Sequence, residues 1–102
     1  MAGKIELKTT SNGKFMFNLK AGNGQIILTS NMFGTKDDAM KAVAKLQAVT
    51  DSDIEVKTNA GGEAYFSIAG VGRSEGYSSK AGCDNGIESV KKNAPGAAIV
   101  EA

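Results

Sequence analysis

Apolar and polar residues alternate with a period of two along several short stretches of the chain. Lys4 to Thr10 reads KIELKTT, with Ile5 and Leu7 pointing one way and Lys4, Glu6 and Lys8 the other. From Gly13 onward, Phe15, Phe17 and Leu19 alternate with Met16 and Asn18, the period of a half-buried strand. Asn23-Gly24 supplies residues that tolerate positive φ, so a tight hairpin is expected there, with Gln25 to Ser30 as its return strand. Ile26, Ile27 and Leu28 stand in a row in that strand, which leaves its register open.

The pattern then changes to helical spacing. Thr35-Lys36-Asp37-Asp38 resembles a capping box, and its two aspartates suit the positive end of a helix. Ala39, Met40, Val43 and Leu46 place one apolar face on a helix running to about Ala48. Asp51-Ser52-Asp53 closes this half.

The second half repeats the first. Ile54 to Thr58, IEVKT, matches IELKT at an offset of 49, and Phe66 and Ile68 match Phe17 and Leu19. Ser74, Tyr77 and Lys80 match Ser30, Phe33 and Lys36 at an offset of only 44. The second copy has therefore lost five residues around its central hairpin, where LKAGNGQIILTS has become IAGVGRS. A strand is expected at Glu63 to Ala69, followed by a short one near Val71 to Glu75. Ser79 caps a second helix whose buried face carries Cys83, Ile87 and Val90, with Glu88 and Lys92 placed to pair outside. Asn93-Ala94-Pro95-Gly96 stops it, and Ile99 and Val100 mark a last strand.

The expected architecture is one α+β domain spanning 1–102. Two β-β-β-α repeats, at about 4–49 and 53–94, are followed by a final strand at 97–101. Neither unit can bury its surface alone, so both should join one mainly antiparallel sheet with the two helices on one face. The other face would be open to water and mixed in charge, carrying Lys4, Glu6, Lys8, Met16, Asn18, Glu55, Lys57, Tyr65 and Ser67.

Composition narrows the chemistry. The 102 residues carry a net charge of +1, which gives no global field for nucleic acid or acidic membranes. There is no histidine and one cysteine, which leaves no internal disulfide, no zinc framework and no histidine general base. No apolar run approaches the ~20 residues of a membrane span, and MAGKIELK lacks the core of a signal peptide. A reduced, cytoplasmic protein without membrane segment or cofactor is expected.

Two phrases carry a family resemblance. FNLKAGNGQIILTS at Phe17 to Ser30 and EGYSSKAGCDNGIESVKKNA at Glu75 to Ala94 resemble the YegP-like family of small bacterial proteins, and the likeness extends over nearly the whole chain. That family carries a tandem β3-α repeat. The resemblance implies a single antiparallel sheet, two helices on one face, and C-terminal strands exchanged between repeats. It implies no catalytic residue. The chain departs from the pattern in the divergent first helix, TKDDAMKAVAKLQAV, and in the truncated second hairpin.

Each candidate for chemistry also has a structural reading. Cys83 lies early in a helix, where a thiol can be activated, but it shares a stripe with Ile87 and Val90 and reads as a core residue. Ser79 and Lys80 could hold an anion at the helix start, although capping accounts for Ser79. The pairs Asp37/Asp38 and Asp51/Asp53 sit where aspartate is common for capping and turns. Lys8, Met16, Lys57 and Tyr65 on the open face could form a platform for a partner or for single-stranded nucleic acid. The reading is a non-enzymatic interaction module that binds a protein partner or a second copy of itself. The alternative is weak single-stranded nucleic-acid or anion binding through the open face or the second helix start.

Overall fold

A computed structural model describes residues 3–22 and 24–101; the Asn23 half of the expected hairpin turn lies outside them. The strands are β1 (Lys4–Thr9), β2 (Phe15–Lys20), β3 (Ile26–Ser30), β4 (Ile54–Thr58), β5 (Ala64–Ile68), β6 (Gly72–Arg73) and β7 (Ala98–Glu101). The helices are α1 (Lys36–Gln47) and α2 (Lys80–Asn93). All seven strands form one sheet in the order β4-β5-β6-β3-β2-β1-β7, antiparallel except where β7 runs parallel to β1. The fold is α+β, as the alternation and the resemblance imply.

Alternation sends Ile5, Leu7, Phe17, Leu19, Phe66 and Ile68 to one face. There they form a single core with Ala39, Val43 and Leu46 of α1 and Cys83 and Val90 of α2. Both helices begin as their sequences dictate. Thr35 Oγ1 accepts from the Asp38 N–H at 3.1 Å, and Ser79 Oγ accepts from the Gly82 N–H at 3.1 Å. Each cap satisfies an orphan amide.

The repeats share an internal lock. Ser30 Oγ accepts from the Phe17 N–H at 2.8 Å and donates to the Asn31 carbonyl at 2.7 Å. Ser74 does the same with Phe66 and Glu75 at 3.0 and 2.9 Å. Beside each serine two rings stack, Phe17 on Phe33 and Phe66 on Tyr77, with centroids 6.2 and 6.3 Å apart.

The run Ile26-Ile27-Leu28 resolves through a register shift. Leu19 faces Leu28 while Lys20 faces Ile26, so Ile27 has no partner and the strand bulges. Ile27 and Leu28 are consequently both buried, while Ile26 stays exposed.

Four expectations need correction. The third strand of the second repeat is two residues, Gly72–Arg73, rather than Val71 to Glu75. It joins the halves through Thr29↔Arg73 and Ser30↔Gly72. A Cβ on Gly72 would lie 2.2 Å from the Thr29 carbonyl oxygen, so the joint needs glycine for this close approach. Ile87 is only half-buried; the buried side of α2 is completed by Gly86 and Asn93. Glu88 pairs with Lys91 rather than Lys92, because Lys91 also reaches Asp51 at 2.7 Å. Asn18 lies on the open face but is buried, enclosed between Glu6 of β1 and Thr29 of β3.

The strand after each helix joins the other repeat. After α1 the chain enters β4 beside β5. The equivalent slot beside β2 is already held by β1, so β7 lands outside β1 and parallel to it.

Candidate functional site

Strand register fixes what the open face presents. Glu6, Asn18, Thr29, Arg73, Ser67 and Glu55 form one row across six strands. Arg73, the single arginine of the chain, stands near the middle of that row on the two-residue strand β6. Beside it is a shallow groove of about 480 Å³, lined by Thr29, Asn59, Tyr65, Arg73, Ser74, Glu75 and Gly76.

Parts of this groove are held rigidly. Asn59 Oδ1 accepts from the N–H groups of Gly61 and Glu63, both at 3.0 Å. Ser74 Oγ is committed to Phe66 and Glu75 in the lock. Among the described residues, the Arg73 and Tyr65 side chains make no hydrogen bond or ion pair. An arginine fork matches a planar carboxylate or a phosphate through two parallel bonds. Tyr65 adds a flat face with a polar tip. The groove can therefore grip an anionic group next to an apolar or aromatic one.

The candidate residues are not gathered in one place. Tyr65 lines the groove, and Lys57 faces it across β4 and β5. Lys8 faces Met16 across β1 and β2, at the diagonally opposite corner of the sheet. The separation follows from the duplication, since Lys8 matches Lys57 and Met16 matches Tyr65 at the offset of 49. Lys8 is also paired with Glu6 at 3.1 Å, and Lys20 holds the second oxygen of that carboxylate at 3.1 Å. Hydrogen bonds from these two lysines hold Glu6 below the usual glutamate range. Ser79 and Lys80 belong to the helix layer, and the Ser79 oxygen is occupied by its cap.

Other candidates are accounted for by packing and capping. Cys83 is fully buried, and burial followed by the nearby Asp84 charge pushes its thiol pKa up, away from the reactive thiolate. Asp53 accepts from the Thr50 N–H at 2.9 Å and from the Thr50 hydroxyl at 3.0 Å; these bonds lower its pKa. Asp51 pairs with Lys91, and Asp37 and Asp38 occupy the first turn of α1. Among the described residues no three His, Cys, Asp or Glu side chains cluster as a metal site. No helix there is long and apolar enough to cross a membrane.

Sequence reasoning passed over Arg73, Asn59 and Glu75. The repeat offset of 44 matches Arg73 to Thr29, but the face they share with Asn18 follows only from the strand pairing.

Comparison with known proteins gives a uniform result. A family model described as "Domain of unknown function (DUF1508)" matches twice, at residues 10–54 and 59–101. UPF0339 protein YegP of Yersinia pestis is 42% identical, with 89% of this chain and 88% of that protein covered. UPF0339 protein PA0329 of Pseudomonas aeruginosa is 37% identical, with 97% and 96% covered. The solution NMR structure of yegP from E. coli, a protein of unknown function, superimposes with a TM-score of 0.92 at 34% identity, covering 99% of this chain and 93% of that one. That of UPF0339 protein SO3888 from Shewanella oneidensis gives 0.91 at 36%, covering 99% and 92%.

Proposed function

We propose that this chain, which belongs to the DUF1508 family, is a non-catalytic module that binds a protein partner through its open sheet face. Arg73 takes a carboxylate of that partner. The observation that carries the reading is the Arg73 fork, unpaired among the described residues, beside Tyr65 in a groove whose Asn59 and Ser74 are held by hydrogen bonds. Arginine and tyrosine are the residue types that most often dominate binding energy at interfaces. The burial of the Cys83 thiol supports a non-catalytic role, and we take the compartment to be the cytoplasm.

The test is capture from native extract on the immobilised chain, beside Arg73→Ala and Tyr65→Ala versions. A defined protein should be retained by the parent and lost with Arg73→Ala, whose affinity should fall by roughly 30-fold or more. Retention of the same proteins by all three chains refutes the proposal, as does an empty parent column.

A second reading has one observation in its favour. Lys57, Tyr65 and Arg73 lie on adjacent strands, as in a stacking platform for single-stranded nucleic acid. Glu6, Glu55 and Glu75 on or beside the same face oppose it. Retention of a single-stranded oligonucleotide that weakens steeply with salt would favour it over the protein partner.

A further inference from the structure

We infer that the free edge of β4 pairs with the same edge of a second copy, giving a two-fold symmetric dimer with a continuous sheet. This surface is separate from the groove, and the inference does not depend on the partner proposed above.

The argument starts from backbone hydrogen bonds. Phe66 commits its C=O to the Ser74 N–H and its N–H to Ser74 Oγ, both on the β6 side. Val56, its cross-strand partner, therefore forms a non-hydrogen-bonded pair with it and turns its own N–H and C=O outward. Ala64 likewise exchanges both groups with Tyr77, so Thr58 opposite it also faces out. Ile54 follows by alternation, although its N–H donates to the Asp51 carbonyl. β4 is one of the two terminal strands of the sheet, so none of these outward groups has a strand beside it.

The side chains then specify a partner. Val56 is on the core face of the sheet, opposite Phe66, yet 45% exposed. Antiparallel pairing of IEVKT with itself about Val56 sets Val56 against Val56, Ile54 against Thr58, and Glu55 against Lys57 twice. In this register the Val56 pair exchanges both its hydrogen bonds, and each Thr58 N–H reaches the opposing Ile54 carbonyl. The Glu55–Lys57 pairs fall at the non-hydrogen-bonded positions, where cross-strand side chains are closest. Centring on Glu55 or on Lys57 instead sets like charges against each other. The strand is thus complementary to itself in one register, and the two-fold operation pairs both β4 edges and closes this interface, with the β7 edge of each copy lying outside it.

An edge of five residues buries less than the roughly 1,200 Å² of standard interfaces, so association is expected only from about 100 μM upwards. Sedimentation equilibrium of the full chain should show a mass rising towards twice that of one chain. Glu55→Lys and Lys57→Glu, each alone, place like charges opposite each other and should weaken pairing roughly tenfold. An equimolar mixture of the two variants should restore it, because one contributes only Lys and the other only Glu. Val56→Pro removes the central outward N–H while breaking no bond within the sheet, and it should abolish dimers. Far-UV circular dichroism checks that each variant remains folded. A parent that stays monomeric to about 1 mM overturns the inference. So does dimerisation indifferent to these substitutions, or a mixture that fails to recombine.

Discussion

Replacing Gly86 with alanine should destabilise the protein, against the helix propensity of the two residues. Gly86 lies within α2, where alanine alone would be favoured by about 0.8–1 kcal/mol. A Cβ there would lie 2.4 Å from the Tyr77 hydroxyl oxygen, 2.8 Å from Tyr77 Cζ and 2.9 Å from Phe66 Cε1. The two rings are stacked and Phe66 is fully buried, so neither can withdraw freely. Overpacking of this kind costs about 1–3 kcal/mol, or more when the backbone must move. A net loss of about 1–2 kcal/mol, or roughly 4–16 °C in Tm for a domain of this size, is expected. The first repeat shows the complementary solution: Phe33 and Ala42 occupy the positions matching Tyr77 and Gly86. Hydroxyl with glycine has been exchanged for no hydroxyl with a methyl. Urea denaturation of Gly86→Ala, Tyr77→Phe and the double variant should give a coupling of at least about 0.5 kcal/mol, with Gly86→Ala costing less once the hydroxyl is gone. A Gly86→Ala chain as stable as the parent, or equal costs in both backgrounds, would refute the steric argument.

Three other outcomes are expected. Ser30→Ala leaves the buried Phe17 N–H without its acceptor and should cost about 1–3 kcal/mol in chemical denaturation, with Ser74→Ala and Phe66 behaving alike. At alkaline pH the folded chain should lose stability. Burial raises the Tyr77 pKa above its ordinary 10.0, with Cys83 and Glu75 adding to it, and burial likewise raises Cys83 above 9.0. The unfolded chain then releases these protons first. Their contribution is fully present below those ordinary values and declines as pH rises through the folded ones. Thiol labelling of Cys83 should accordingly be slow in the native state and fast in denaturant, and the reverse would dispose of both arguments.

What was legible in the sequence is what repeats over several residues. Period-two alternation and the Thr35 and Ser79 caps each involve enough positions to be read. The halves also match at fixed offsets. Arg73 was not legible because a strand of two residues displays no period, so its face becomes known only through pairing with Thr29 and Ser67. Ile27 escaped for a similar reason: a bulge breaks the period that would reveal it. Glu88 was paired with Lys92 rather than Lys91 because Asp51 approaches Lys91 from a different element, which spacing along α2 cannot show.

The departures from two-fold symmetry converge on the second repeat. In the first, the positions matching Asn59, Tyr65, Arg73, Glu75 and Gly76 are Thr10, Met16, Thr29, Asn31 and Met32. A charged fork, an aromatic ring and a glycine closely flanked by Glu63 and Asn59 thus replace smaller polar residues and two methionines, one of them the 60% exposed Met32. The edges differ for a separate reason. Because β1 already holds the slot beside β2, β7 covers β1, whereas nothing covers β4. Groove and free edge therefore share the β4-β5-β6 side of the sheet. Pairing at β4 would put five strand spacings between the two Arg73 side chains, or about 24 Å. A dimer would then offer two anion-gripping grooves on one continuous face, so a partner with two acidic anchors at that span would gain by bivalency what each shallow groove lacks alone.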